Sequence, residues 1–194
     1  MKLRNIFVWA AVFLLSMSLV ACSKGNTNTG ASDNGGSSNR KEYKNELHIA
    51  LTAQPPTLDS AMTVSQVALD TAGYIFEQLY TLNANYEPVP MLAKSVDISQ
   101  DGLTYTFALR QGVKFHNGKE MTSEDVAASM NRWLVTSSRA KVLLAGAKFE
   151  AVDPYTVKLT LQKPSSDVLI LIASQAQFPS IMPKEIVESA PPEG

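Results

Sequence analysis

Cysteine is nearly absent from the chain: Cys22 is the only one among 194 residues. A single thiol excludes an intramolecular disulfide, a zinc site with two thiolates and a C-x-x-C redox centre. Histidine is almost as scarce, with only His48 and His116. No acidic ligand pattern lies between these two, so they read as strand-edge and turn residues rather than as a shared metal site. Charge is balanced, 17 Lys plus Arg against 18 Asp plus Glu, which leaves no basic excess for phosphates and no nucleic-acid partner. The G-x-G-x-x-G, Walker A, G-x-S-x-G and H-E-x-x-H motifs are all missing, and no histidine stands in a pattern that would orient it as a base. Glu124 and Asp125 are the clearest carboxylate pair, but adjacent acids opening a helix serve the macrodipole rather than acid–base work. The sequence therefore predicts no enzyme, no catalytic residue, no cofactor and no metal. What is present, 45 % hydrophobic and 18 % charged residues, is the composition of a globular protein.

The chain opens with "MKLRN", carrying Lys2 and Arg4, and continues into the apolar run "IFVWAAVFLLSMSLVA". That is the charged-then-apolar order of a secretory signal, and the run is short for a bilayer span of about 20 residues. Its end, Leu19, Val20, Ala21 and Cys22, resembles the lipobox of bacterial lipoproteins. The resemblance implies cleavage before Cys22, a diacylglyceryl thioether on its sulfur and acylation of the new amino end. Two acyl chains anchor a protein where a single one holds it only marginally. Residues 23–39, "SKGNTNTGASDNGGSSN", contain Ala31 as their only apolar residue, too little to offset the entropy of ordering, so residues 22–44 are expected to be a flexible tether.

Structure is expected from Glu46, where "ELHIALTA" alternates apolar and polar residues before "QPPTLDS", whose paired prolines end a strand. Val64, Ala68, Ala72, Ile75 and Leu79 recur at helical spacing and predict a helix over Thr63 to Asn83, with Thr63 and Gln66 as a capping box. "NANYEPVPMLAKS" reads as a turn-rich connector. A hairpin is predicted about Asp101-Gly102, with Leu103, Tyr105, Phe107 and Leu109 on one face, then a turn at Asn117-Gly118. "TSEDVAASMNRWL" predicts a helix capped by Thr122 or Ser123 with a stripe of Val126, Met130, Trp133 and Leu134. A second hairpin pivots at Asp153-Pro154, a short buried helix follows with Ser165 or Ser166 as its cap, and a last helix starts at Pro183.

Between Glu87 and Trp133 the residues fall into one pattern: Pro90, Leu92 and Ala93; Asp101-Gly102; Thr106, Phe107, Leu109, Arg110, Gly112, Val113, Lys114, Phe115, Asn117 and Gly118; Thr122, Asp125 and Val126. This resembles the signature region of family 5 solute-binding proteins, the peptide- and nickel-binding lipoproteins of bacterial ABC importers. Upstream, "QPPTLDS" resembles the family's E-P-x-x-L-D-P, with Gln54 in place of Glu and Ser60 in place of Pro. Carried across, Pro55, Pro56 and Thr57 are the ligand-facing positions, with main chain pairing to an extended ligand. A rigid turn leaving the first strand is the alternative role for the same three residues.

The resemblance implies an α/β fold, the incomplete N-terminal part of a two-lobed periplasmic-binding-protein-like clamp of class II with an extra subdomain. Residues 1–21 would be the signal peptide, 22–44 the tether, 45–62 the start of lobe I, 63–175 the smaller inserted subdomain and 176–194 the return to lobe I. It further implies a monomer, lipid-anchored on the extracytoplasmic face of the cell membrane, that captures oligopeptides, or less often nickel complexes, for ABC permease subunits. Family members are much longer, so a truncated product that binds nothing is the alternative. A hydrolase would need a nucleophile–base pair that no motif supplies.

Overall fold

The computed structural model describes residue 46 and residues 48–189. The expected signal peptide, Cys22 and the tether lie outside the described residues. From His48 onward the described residues form one compact unit. Its described elements are α1 (Gln66–Gly73), β1 (Tyr80–Leu82), β2 (Pro88–Pro90), β3 (Ala93–Ile98), β4 (Thr104–Leu109), α2 (Ser123–Thr136), α3 (Ser138–Leu143), β5 (Lys148–Asp153), β6 (Thr156–Thr160), α4 (Val168–Ala173) and α5 (Lys184–Ser189). No helix among the described residues is long and apolar enough to cross a membrane.

The centre is an antiparallel sheet of order β3-β4-β6-β5. Both predicted hairpins form, and Gly102 takes a φ of 66° at the first turn, the left-handed region glycine reaches without strain. Tyr105, Phe107 and Leu109 alternate inward on β4, opposite Leu159 and Val157 of β6. Phe107 is fully buried and packs edge-on against Tyr80, with ring centroids 6.1 Å apart, and against Phe149 at 6.4 Å. Fully burying a side chain of this size contributes about 1.5–3 kcal/mol. Helix α2 covers the sheet through its predicted stripe, all four members of which are buried. Asn131 on its flank bonds the main chain of Phe149 in both directions, at 2.8 and 2.9 Å, so β5 gains a partner on its edge.

Several expectations are corrected. Residues 48–51 form no strand, and Ile49 and Leu51 stay exposed, because no neighbouring strand among the described residues supplies ladder partners. The helix expected over Thr63 to Asn83 exists only as α1. Gly73 weakens it, Tyr74 N–H turns back to Thr71 O, and the fully buried Leu79 leads into β1 instead. Nor is there a capping box at its start: Thr63 Oγ1 accepts from Ser65 N–H, while Gln66 donates to Asp70.

The supposed connector contains β2, paired with β1. Asn83 N–H donates to Glu87 O and Met91 N–H to Leu79 O, so by alternation Pro88 and Pro90 fall at non-hydrogen-bonded positions, where a missing N–H costs nothing. Asp167 rather than Ser165 or Ser166 stands at the N-cap position of α4, where its side chain makes no capping bond, and Ser165 Oγ accepts from Asp167 N–H. The last helix follows Pro183 as expected, with Val187 N–H donating to Pro183 O.

Candidate functional site

The segment from Gln54 to Met62 has neither helix nor strand, so its shape rests on side chains. Pro55 and Pro56 hold φ near −65° and carry no N–H. Thr57 Oγ1 accepts from Asp59 N–H at 3.0 Å, Asp59 Oδ1 from Ala61 N–H at 3.1 Å, and Asp59 O from Met62 N–H at 3.2 Å. These successive turns present Pro55 and Thr57 half-exposed and Pro56 exposed, while Ser60 and Ala61 are buried. Among the described residues no hydrogen bond engages the carbonyl of Pro55 or Pro56.

Two long-range contacts hold this segment. Arg132 of α2 donates in a fork to Asp59, Nη2 to Oδ2 at 2.5 Å and Nη1 to Oδ1 at 3.3 Å. Ser60 Oγ donates to Phe178 O at 2.8 Å and lies 2.5 Å from Ser180 Oγ. The piece that receives Ser60 is itself tied to α2, because Trp133 Nε1 donates to Gln177 O at 2.6 Å.

Helix α2 thus carries a polar stripe beside its apolar one: Asp125, Ser129 and Arg132, spaced four and three apart. Asp125 is a fully buried carboxylate. It accepts from Lys119 Nζ at 2.8 Å, from the main-chain N–H of Lys184 at 2.8 Å, and from the main-chain N–H and hydroxyl of Thr122. Burial pushes its acidity down, but these donors outweigh burial and leave its pKa below the ordinary carboxylate value. Ser129 Oγ accepts from Met182 N–H and donates to Met182 O. The stripe therefore binds the chain where it enters, at Asp59, and again at Met182 and Lys184. Reading Asp125 only as a macrodipole acid missed this. The available signal was polar residues at helical spacing flanking a buried stripe.

Two further concavities lie elsewhere. An apolar cavity of about 540 Å³ is walled by Tyr74, Phe76, Met91, Phe115, Met121 and Ile181, among others, and none of Pro55, Pro56 and Thr57 lines it. A charged cleft of about 530 Å³ is lined by ion pairs, Lys119 with Asp125 and Glu185 and Lys184 with Glu124. The hydrogen bonds to Asp125 and Glu185 raise the Lys119 pKa. Among the described residues no group of three or more His, Cys, Asp or Glu side chains could hold a metal ion.

Comparison with known proteins places this architecture. Residues 87–192 match the model of bacterial extracellular solute-binding proteins, family 5 Middle. The chain is 32 % identical over 134 residues to the glutathione-binding protein GsiB of Escherichia coli O1:K1, a match covering 68 % of this chain and 26 % of that protein. The chain therefore spans about a quarter of the length of the curated relatives it matches. Among solved structures it is similar to the periplasmic binding protein AgaA of A. tumefaciens R10 in complex with agropinic acid. There the identity is 32 %, the TM-score 0.62, and the cover 70 % of this chain and 28 % of that one. The ABC transporter-associated periplasmic binding protein DppA of Helicobacter pylori, in complex with the peptide STSA, matches at 29 % identity and TM-score 0.56, covering 70 % and 30 %. The fold is thus that of part of a periplasmic binding protein, and these relatives are binding proteins, not enzymes. With the family match extending over more than half of its residues, this chain belongs to the bacterial extracellular solute-binding proteins of family 5.

Proposed function

We propose that the protein is the lipid-anchored substrate-binding component of an ABC importer, capturing oligopeptides for delivery to permease subunits, with nickel complexes the less favoured cargo. Membership of family 5 and the likeness to a peptide-bound relative support this. The observation that carries the choice of peptide is the Pro55–Thr57 stretch. It is a partly exposed stretch, held in a defined shape, with proline carbonyls that have no partner among the described residues. Such carbonyls can accept from the N–H groups of an extended peptide of almost any sequence. On this view residues 45–62 and 176–194 belong to the first lobe, 63–175 form the smaller subdomain, and Cys22 carries the lipid.

Calorimetric titration of the whole gene product with pools of short peptides tests the proposal. Saturable heat with one or more pools is the expected result. No heat with any pool, against heat with nickel chelates, would replace the cargo.

A further inference from the structure

Main-chain recognition demands that the recognising loop be held in place to about 0.5 Å by groups whose own positions are locked. The Pro55–Thr57 loop has no regular structure to do this. We propose that Asp59 and Arg132 are positioning residues for ligand capture: their forked ion pair transfers the rigidity of α2 to the ligand-facing main chain. This rests on the peptide reading of Pro55, Pro56 and Thr57.

The chain of contacts is continuous. Arg132 sits on a 14-residue helix packed on the sheet, next to the buried Trp133. Its side chain is only 10 % exposed and that of Asp59 20 %. The two parallel N–H···O bonds fix angle as well as distance, which a lysine ammonium cannot do. From the Asp59 carboxylate the constraint passes to Ala61 N–H, and from Asp59 N–H to Thr57 Oγ1. Thr57 adjoins the two prolines, whose fixed φ angles leave little slack.

The pair is not accounted for by stability alone. Arg132 Nε is buried without a hydrogen-bond partner among the described residues. A buried ion pair with an unsatisfied donor stabilises no better than well-packed apolar side chains of the same volume. What such side chains would not supply is the orientation of the fork.

The test uses the whole gene product and the variant Arg132→Lys, which keeps the charge and loses the fork. Amide hydrogen exchange across residues 57–62 is expected to accelerate at least about tenfold, and peptide affinity to fall by about tenfold, with an unchanged far-UV circular dichroism spectrum. Val157→Ala, which removes bulk from the sheet and no hydrogen bond of the pair, is expected to lower the melting temperature while leaving peptide affinity as it was. Unchanged exchange and affinity in Arg132→Lys would overturn the proposal, as would an equal affinity loss in Val157→Ala.

Should Arg132→Lys fail to fold, exchange in the unchanged protein decides. Ala61 and Met62 amides protected together with those of α2 support the pin, and exchange at the rate of unstructured chain overturns it. A protein that binds no peptide pool defeats the peptide reading, while the exchange comparison still decides whether the pair holds the loop.

Discussion

Asp125 is the residue on which the local electrostatics turn. Its folded-state pKa lies below the ordinary value, so the unfolded chain binds its proton more readily. Its contribution is then fully present above about pH 4 and is lost as pH falls through the folded pKa. Urea titrations at pH 7 and pH 3 should show the unchanged protein losing stability on acidification, and Asp125→Asn losing less. At pH 7 Asp125→Asn should cost about 1–3 kcal/mol, because the N–H groups of Thr122 and Lys184 and the Lys119 ammonium lose a shared charged acceptor. Tyr86 is a contrasting case: it holds φ at 62° while 79 % exposed, so its conformation is strained and its side chain does little packing. Tyr86→Gly should stabilise by about 0.5–1 kcal/mol, raising the melting temperature by roughly 1–4 °C in a scanning calorimeter. Single residues were legible where chemistry alone decides: the cap of α2 as Thr122 or Ser123, of which Thr122 fills the position, and Gly102 in its turn. Arg132 was not, since its partner lies 73 positions away.

At the scale of elements, legibility followed the strength of the periodic signal. Helix α2 and the hairpins of the main sheet carry unambiguous alternation or a full apolar stripe, and they form where expected. Helix α3 offers none, since Val142 and Leu143 both face solvent, and only the hydroxyl of Ser137, accepting from Ala140 N–H, marks its start. The overextended α1 shows the opposite failure: Ile75 and Leu79 keep helical spacing by coincidence after Gly73 has ended the helix. Strand β2 was masked by its prolines, which disfavour strands except at positions that need no donor. Because β4 joins two strands and meets Tyr80 from a separate hairpin, Phe107 couples several elements at once. Phe107→Ala should cost about 3–5 kcal/mol, visible as a matching drop in the urea midpoint with the same slope.

At the scale of the molecule, the family was legible because residues at fixed spacing from Pro90 to Val126 specify the β3–β4 hairpin, the turns that follow it and the start of α2 together. The candidate site was legible only as a stretch of chain. What holds it, Asp59 on Arg132 and Ser60 on Phe178 and Ser180, joins segments that no local pattern connects. The proposed anchor makes its own prediction. Cells fed a labelled fatty acid should yield labelled protein, and Cys22→Ala should abolish the label and leave the leader of residues 1–21 uncleaved, seen as a heavier product. The central claim is that peptide is captured on the main chain at Pro55, Pro56 and Thr57. The direct test is photo-cross-linking of the whole gene product with a bound peptide carrying a photoreactive residue, followed by mapping of the adduct by mass spectrometry. The account predicts adducts within Gln54–Met62; adducts confined to the apolar cavity walled by Tyr74, Phe115 and Ile181 would contradict it.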